Sequence, residues 1–394
     1  MRVFIVCPAN IATGGTELLH QFSKCLSDNH CENYMVYIGG NGVDCPTPEA
    51  FLKYEVKYVS GYIDAPDSVL VCPETQVACV TWCRLGTAMI WWLSVDNYLS
   101  AYRNIIQRNN MELGIFDLKK RSNVLHFVQS YYARNFLESI LEIDKTFFLK
   151  DYINDEIINV AMDKYESEPR RNICLYNPKK GYEDLEPVIK ACREDILWVP
   201  LQGMTARQMA QTMCKSKVYV DFGSHPGKDR IPREAAVCGC CILTNRKGSA
   251  AYPGDVNIPG KYKIENTENV DQVLEQIYDL IDNYEERTCE YDSYREGILN
   301  EKAEFLRDAQ KAIGVLQETV ACKKKEASYQ PAAYAGTFEA MRNAIRQIEG
   351  LMRAAGTEAE ASKVMEKLLT ADYVMQIVKE TMYAEMKEIA DKDM

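Results

Sequence analysis

Short apolar runs alternating with helical spacing, twice over, constrain this chain more than any single motif. Residues 3–7, 34–38, 56–59, 69–72, 88–95 and 125–129 read as strands, with helical patterns between several of them. After the polar stretch at 163–171 the series restarts, with strands at 173–176, 197–200, 218–221 and 240–244. A strand followed by a helix and another strand re-enters the sheet in the same direction, so each series predicts a parallel sheet covered by helices. The fold class is α/β, with two Rossmann-like lobes facing across a cleft and a C-terminal helical extension. Ligands of such sheets collect at the carboxyl ends of the strands. The loops after Cys7, Val95, Tyr176, Asp221 and Thr244 are therefore where chemistry is expected.

A length of 394 residues accommodates this plan with material to spare. The expected division is 1–160, 161–312 with trailing helices, and 313–394. Within the last, Lys323-Lys324-Lys325 and Pro331 mark a linker over 321–336. Phe338, Met341, Ile345, Ile348 and Met352 then fall at steps of three and four, and Val364, Leu368, Met375, Val378, Met382 and Met386 continue the stripe. That pattern predicts an amphipathic hairpin, serving as a cap on its own domain, a face for pairing two chains, or a peripheral membrane contact.

Forty-six basic residues against 57 acidic ones give a net charge of −11, which disfavours a general nucleic-acid binder. An anionic ligand has to meet a local basic cluster instead. No apolar run approaches the roughly 18 residues of a membrane span. Met1-Arg2 runs directly into Val3-Phe4-Ile5-Val6, which reads as a strand and not as a leader, so a cytoplasmic protein with reduced thiols is expected. Cys79 with Cys83, and Cys238, Cys240 and Cys241, lack the second pair or the histidines of a zinc site and read as small packing residues.

The first strand ends in Pro8-Ala9-Asn10-Ile11-Ala12-Thr13-Gly14-Gly15-Thr16, with a helix beginning at once. Glycines at a helix N-terminus let a ligand approach unpaired N–H groups that favour an anion. The second lobe repeats the design with Asn177-Pro178-Lys179-Lys180-Gly181, where lysine can neutralise a phosphate. The densest stretch follows Asp221: Phe222-Gly223-Ser224-His225-Pro226-Gly227-Lys228-Asp229-Arg230-Ile231-Pro232-Arg233-Glu234. It gathers Lys228, Arg230 and Arg233 in an otherwise acidic chain, with Pro232 suited to the first helical position. Glu234 can complement the helix dipole or accept two hydrogen bonds from the vicinal hydroxyls of a ribose. Gly248-Ser249 offers a further close-approach loop.

Glu234-Ala235-Ala236-Val237-Cys238-Gly239 followed by an apolar strand resembles the E-A-x-A-x-G-x-P-V segment of the retaining GT-B glycosyltransferases of the glycogen-synthase-like group. The resemblance runs over roughly residues 1–310 in motif order and is nearest to bacterial enzymes that build surface polysaccharides. It implies an acceptor-side N-terminal domain and a C-terminal domain that binds a nucleotide sugar. By it Lys180 touches the diphosphate, Glu234 the ribose and Gly15 the phosphate or sugar, and Asn177, Lys179, His225, Arg233, Gly248 and Ser249 join the donor site. Trp91-Trp92-Leu93-Ser94-Val95-Asp96 resembles the family's strand that ends in His-Asp, with Val95 where the histidine belongs. Asp96 is the implied base or hydroxyl-binding group, with His126 and Ser130 as weaker candidates. Pro226 stands where the family carries the first of two glutamates.

The reaction expected is transfer of a sugar from a nucleoside-diphosphate donor to a hydroxyl of a glycan or lipid-linked acceptor, at the inner face of a membrane or in solution. Lys180, Lys228, Arg230 and Arg233 would stabilise charge on the leaving diphosphate, with Lys228 and Arg230 acting directly in catalysis. No metal or other cofactor is expected, because the D-x-D spacing at Asp391-Lys392-Asp393 lies in the helical tail. A nucleotide-sugar epimerase and a non-catalytic binding or scaffold subunit are the alternatives. A redox enzyme is excluded by the lack of G-x-G-x-x-G after the first strand.

Overall fold

The computed structural model describes residues 1–39, 45–109, 118, 123–164 and 169–328. From the N-terminus the elements are β1 (Arg2–Pro8), α1 (Gly14–Asp28), β2 (Glu32–Ile38), β3 (Tyr58–Val59), β4 (Ser68–Pro73), β5 (Thr87–Trp92), α2 (Val95–Asn109), β6 (Val124–Val128), α3 (Tyr131–Ser139), β7 (Thr146–Phe148) and α4 (Asp155–Lys164). The seven strands form one parallel sheet in the order β3-β2-β1-β4-β5-β6-β7. Every residue of β4 and β5 is buried, as expected of central strands covered on both faces.

The second lobe contains β8 (Arg171–Tyr176), α5 (Tyr182–Ala191), β9 (Leu197–Pro200), α6 (Ala206–Met213), β10 (Ser216–Asp221), α7 (Arg230–Val237), β11 (Cys241–Asn245), β12 (Lys263–Ile264), α8 (Val270–Asp282), α9 (Tyr284–Arg287) and α10 (Asp292–Leu299). Its five strands are parallel, in the order β12-β11-β10-β8-β9. A last helix, α11 (Glu301–Ser328), follows. The order of strands reverses between β1 and β4 in one sheet and between β8 and β10 in the other. Crevices at such reversals are the usual seats of ligands.

Two helices exchange lobes. Leu149 belongs to the core of the first lobe, yet Ile153 and, in α4, Ile157, Val160 and Ala161 belong to that of the second. The crossing thus falls ahead of the boundary expected at 160. In return Phe305, Ala309, Ala312, Leu316 and Val320 of α11 pack with Val3, Ile5, Leu18 and Phe22 in the first lobe, so this trailing helix does not belong to the second lobe's core. Met1–Val320 form one compact unit.

A second unit, Ala321–Met394, is described only at its start. Over 321–328 the expected linker is corrected, because α11 continues unbroken to Ser328, alanine and lysine being strong helix formers; 329–336 lie outside the described residues. The hairpin stripe from Phe338 to Met386, and with it any chain pairing or membrane contact, lies outside the described residues. Among the described residues no helix is long and apolar enough to cross a membrane. All fifteen cysteines are among the described residues, and none is in a disulfide.

Polar contacts knit the lobes at the carboxyl ends of the sheets. Val95 N–H donates to Pro226 O at 2.9 Å. The Asp255 carboxylate accepts from the N–H groups of Tyr131 (2.8 Å) and Tyr132 (3.0 Å), and so serves the exposed donors at the start of α3 from the other lobe.

Candidate active site

The Gly14-Gly15 turn lies at the start of α1, beside the reversal point of the first sheet. Thr13 caps the helix: its hydroxyl accepts from Thr16 N–H at 3.3 Å, while Thr16 Oγ1 accepts from Thr13 N–H at 2.9 Å. Thr16 is thus committed to holding the turn in shape. A β-carbon at Gly14 would lie 3.4 Å from Nε of Arg230, a side chain delivered by the opposite lobe.

Across the cleft, Gly181 follows β8 with φ of +68°, and a β-carbon there would come within 2.4 Å of the Phe222 carbonyl carbon. Glycine at this position lets the loops after β8 and β10 touch. Asn177 Oδ1 accepts from Lys179 N–H at 3.0 Å, and the Lys179 side chain turns to solvent. Lys180 instead pairs with Asp229 and approaches Asp221 at 3.5 Å. Burial lowers its pKa, but the two carboxylates outweigh that and leave it raised. His225 is fully buried at φ of +48°, its Nδ1 3.0 Å from Asp229 Oδ2. It is part of this buried network and does not line the cavities described below.

Asp221, His225 and Asp229 bring ligand-type atoms within 4.8 Å of one another. That geometry suits a cation, but the Lys180 ammonium is already paired with both carboxylates. These residues therefore do not fit a divalent ion unless Lys180 leaves.

The loop before α7 is pinned against the first lobe. Ser249 Oγ donates to Gly227 O at 2.6 Å, and a β-carbon on Gly227 would lie 2.1 Å from Leu93 O. Gly248, at φ of +53°, leaves no room for a β-carbon beside His225 O, to which Ser249 N–H donates. Gly248 and Ser249 thus shape the loop. Helix α7 begins at Arg230, so Pro232 is its third residue and not its first.

The basic cluster exists, but each of its cations has a carboxylate partner. Lys228 Nζ lies 2.7 Å from Glu301, and Arg230 pairs with Glu17 in the first turn of α1. Arg233 is fully buried, bonding Asp151 at 2.7 Å and Glu301 at 2.6 Å as well as two backbone carbonyls. This corrects the donor-site reading of Arg233: it is an internal tie between lobes. The Glu17 carboxyl is pushed up by burial but held below its usual range by Arg230, Tyr54 and Lys53.

Glu234 differs from these. It is 6% exposed and lines the main cavity, and its carboxylate makes no hydrogen bond or ion pair with any described residue. Burial raises its pKa, against the pull of Arg230 and Arg233. The cavity holds about 570 Å³ between Gly14, Gly15 and Thr16 on one side and Lys228, Arg230 and Glu234 on the other. A smaller one of about 240 Å³, lined by Asn177, Lys180 and Ser224, shares Pro226, Asp229 and Arg230 with it. The larger volume falls in the range of small-molecule sites, and the smaller lies just below it.

The acceptor-side expectations fare differently. Asp96 is not at a strand end but in the first turn of α2, where its carboxylate accepts from Tyr132 Oη at 2.9 Å. Ser94 and Asn97 line the cavity; Asp96 does not. His126 is buried in β6, accepting from Trp92 Nε1 at 3.2 Å, and burial lowers its pKa to about 4. Ser130 caps α3, accepting from Ala133 N–H. Sequence reasoning missed Glu74, a buried carboxylate directly after β4 that lines the main cavity.

No protein-family model matches the chain, and no curated protein matches it by sequence. Its architecture is shared with solved structures. Sucrose-phosphate synthase from Thermosynechococcus elongatus superposes with a TM-score of 0.57 at 13% identity, covering 82% of this chain and 99% of that one. Anabaena HepE in complex with UDP-glucose gives 0.57 at 9% identity, covering 80% and 100%. Trehalose-6-phosphate synthase, OtsA, gives 0.50 at 12%, covering 80% and 99%. The chain has the GT-B glycosyltransferase fold.

Proposed function

We propose that this chain is a glycosyltransferase that takes its sugar from a nucleoside-diphosphate donor and passes it to a hydroxyl of a glycan or lipid-linked acceptor. The observation that carries the reading is Glu234: a buried carboxylate without a partner among the described residues, facing a cavity at the reversal points of two parallel sheets. Leaving such a group unpaired is costly, and the paired hydroxyls of a ribose would satisfy it. The N-terminus of α1 and Arg230 lie at the same cavity and suit a diphosphate. HepE was solved with UDP-glucose, which places a donor of this kind on the same fold. A role in bacterial surface polysaccharide synthesis, and work without a metal, belong to the same proposal; the pairing of Lys180 with Asp221 and Asp229 supports the second point.

One observation favours a second reading, a nucleotide-binding subunit without transferase activity. Lys180, Lys228, Arg230 and Arg233 are all neutralised by carboxylates, and Pro226 replaces the first glutamate. Calorimetric titration of UDP, GDP, ADP and CMP into the wild type and Glu234→Ala, without metal, tests the donor site. Micromolar binding of one nucleotide, weakened about tenfold or more by the substitution (about 1.4 kcal/mol), supports it. Failure of all four to bind refutes it, and binding without turnover of any nucleotide sugar selects the second reading.

A further inference from the structure

At the reversal point of the first sheet, Glu74 emerges from β4 between the loop that follows β1, with Gly14 and Gly15, and the loop that follows β5, with Leu93 and Ser94. Its side chain is held in place: Leu93 N–H donates to Oε2 at 2.9 Å. The charged groups around the same cavity are Lys228, Asp229, Arg230 and Glu234 from the second lobe and Asp151 after β7, and none forms an ion pair with it. Glu74 is thus a carboxylate fixed by backbone, without an ion pair among the described residues, and presented to the cavity by the acceptor-side lobe.

We infer that Glu74, not Asp96, receives the proton of the attacking hydroxyl; the assignment rests on the glycosyltransferase reading above. The hydroxyl oxygen bonds to the anomeric carbon of the donor sugar. The bond from that carbon to the diphosphate oxygen breaks with its electron pair on the diphosphate, and the hydroxyl proton moves to the ionised Glu74 carboxylate. Asp96 is turned to Tyr132 and off the cavity. Burial raises the Glu74 pKa to about 7 despite the N–H groups of Leu93, Glu74 and Ser94, close to where a general base works best near neutrality.

The test uses the full chain with water as acceptor, following nucleotide release from UDP-glucose, GDP-mannose and ADP-glucose between pH 5.5 and 9. The wild-type rate is expected to climb through about pH 7 as Glu74 ionises. Glu74→Gln keeps an oxygen for Leu93 N–H, so nucleotide affinity should stay within about twofold, while the rate at pH 8 falls about a hundredfold or more and the step near pH 7 disappears. Glu74→Asp should recover part of the rate together with a pH step. A Gln variant that keeps the wild-type pH profile overturns the assignment, as does a wild type that binds nucleotide yet releases none from any of the three sugars. If the wild type binds no nucleotide at all, the donor site itself fails, and the calorimetry alone reveals this.

Discussion

Replacing Arg233 with methionine, which keeps the volume and removes the charge, should cost the protein about 3–5 kcal/mol. The guanidinium is 1% exposed and donates to Asp151, to Glu301 and to the carbonyls of Lys228 and Asp229. Glu301 keeps Lys228 at 2.7 Å in the variant, but Asp151, wholly buried, is left with Arg230 Nε at 3.7 Å and an Oδ1 that already lacks a partner. An uncompensated buried carboxylate is the main loss. In urea, with m near 3 kcal/mol/M, the midpoint of the transition that opens the lobes should fall by about 1–1.7 M. The sign with pH follows from Asp151. Burial raises its pKa, but Arg233, Lys228 and Arg230 hold it below the usual range. The wild type therefore gains stability above the unfolded carboxyl pKa of about 3.9 and loses it as pH falls through the lower folded value. Without Arg233 the burial effect dominates, protonation of Asp151 relieves the variant, and the gap between the two proteins narrows from pH 7 toward 4. Adding Asp151→Asn should restore part of the stability. A midpoint shift below about 0.3 M, accompanied by weaker nucleotide binding, would refute this argument and return Arg233 to the donor site.

Two further outcomes are expected. Gly227→Ala should push the loop before α7 off Leu93 O and speed hydrogen exchange at Val95 N–H, whose acceptor is Pro226 O; unchanged exchange would show that the loop does not clamp the lobes. With a thiol reagent at pH 8, the exposed Cys45, Cys289 and Cys322 should react fast. The buried thiols should wait for unfolding, since burial pushes Cys7, Cys240 and Cys241 up to about 12; rapid titration of most of the fifteen would contradict that packing.

The strands with four or more apolar residues were legible because a central parallel strand buries both faces. The ones missed, β7 and β12, have three and two residues and lie at sheet edges; β3 is as short and also at an edge, but lies within the stretch read at 56–59. Strand 88–95 was read three residues too long: Leu93-Ser94-Val95 continues the apolar run, but Val95 already starts α2. Glu234 was legible from its place after a strand and a basic loop. The fate of the cations was not, because their partners lie 213, 82 and 73 residues away, at Glu17, Asp151 and Glu301. No local spacing encodes such pairs. Glu74 gave no signal either, since Pro73-Glu74-Thr75 reads as an ordinary strand end.

The exchange of α4 and α11 between lobes sets an order on the birth of the molecule. A ribosome that has delivered the whole seven-stranded sheet, which ends at Phe148, has not yet delivered Phe305, Ala309, Ala312, Leu316 or Val320, so the floor beneath Val3, Ile5 and Leu18 stays open while residues 149–304 are made. The first strand synthesised is therefore roofed by the last helix of the compact unit, and the first lobe cannot close its interior as an independent nascent domain, whereas the core of the second is drawn from the continuous stretch 153–298.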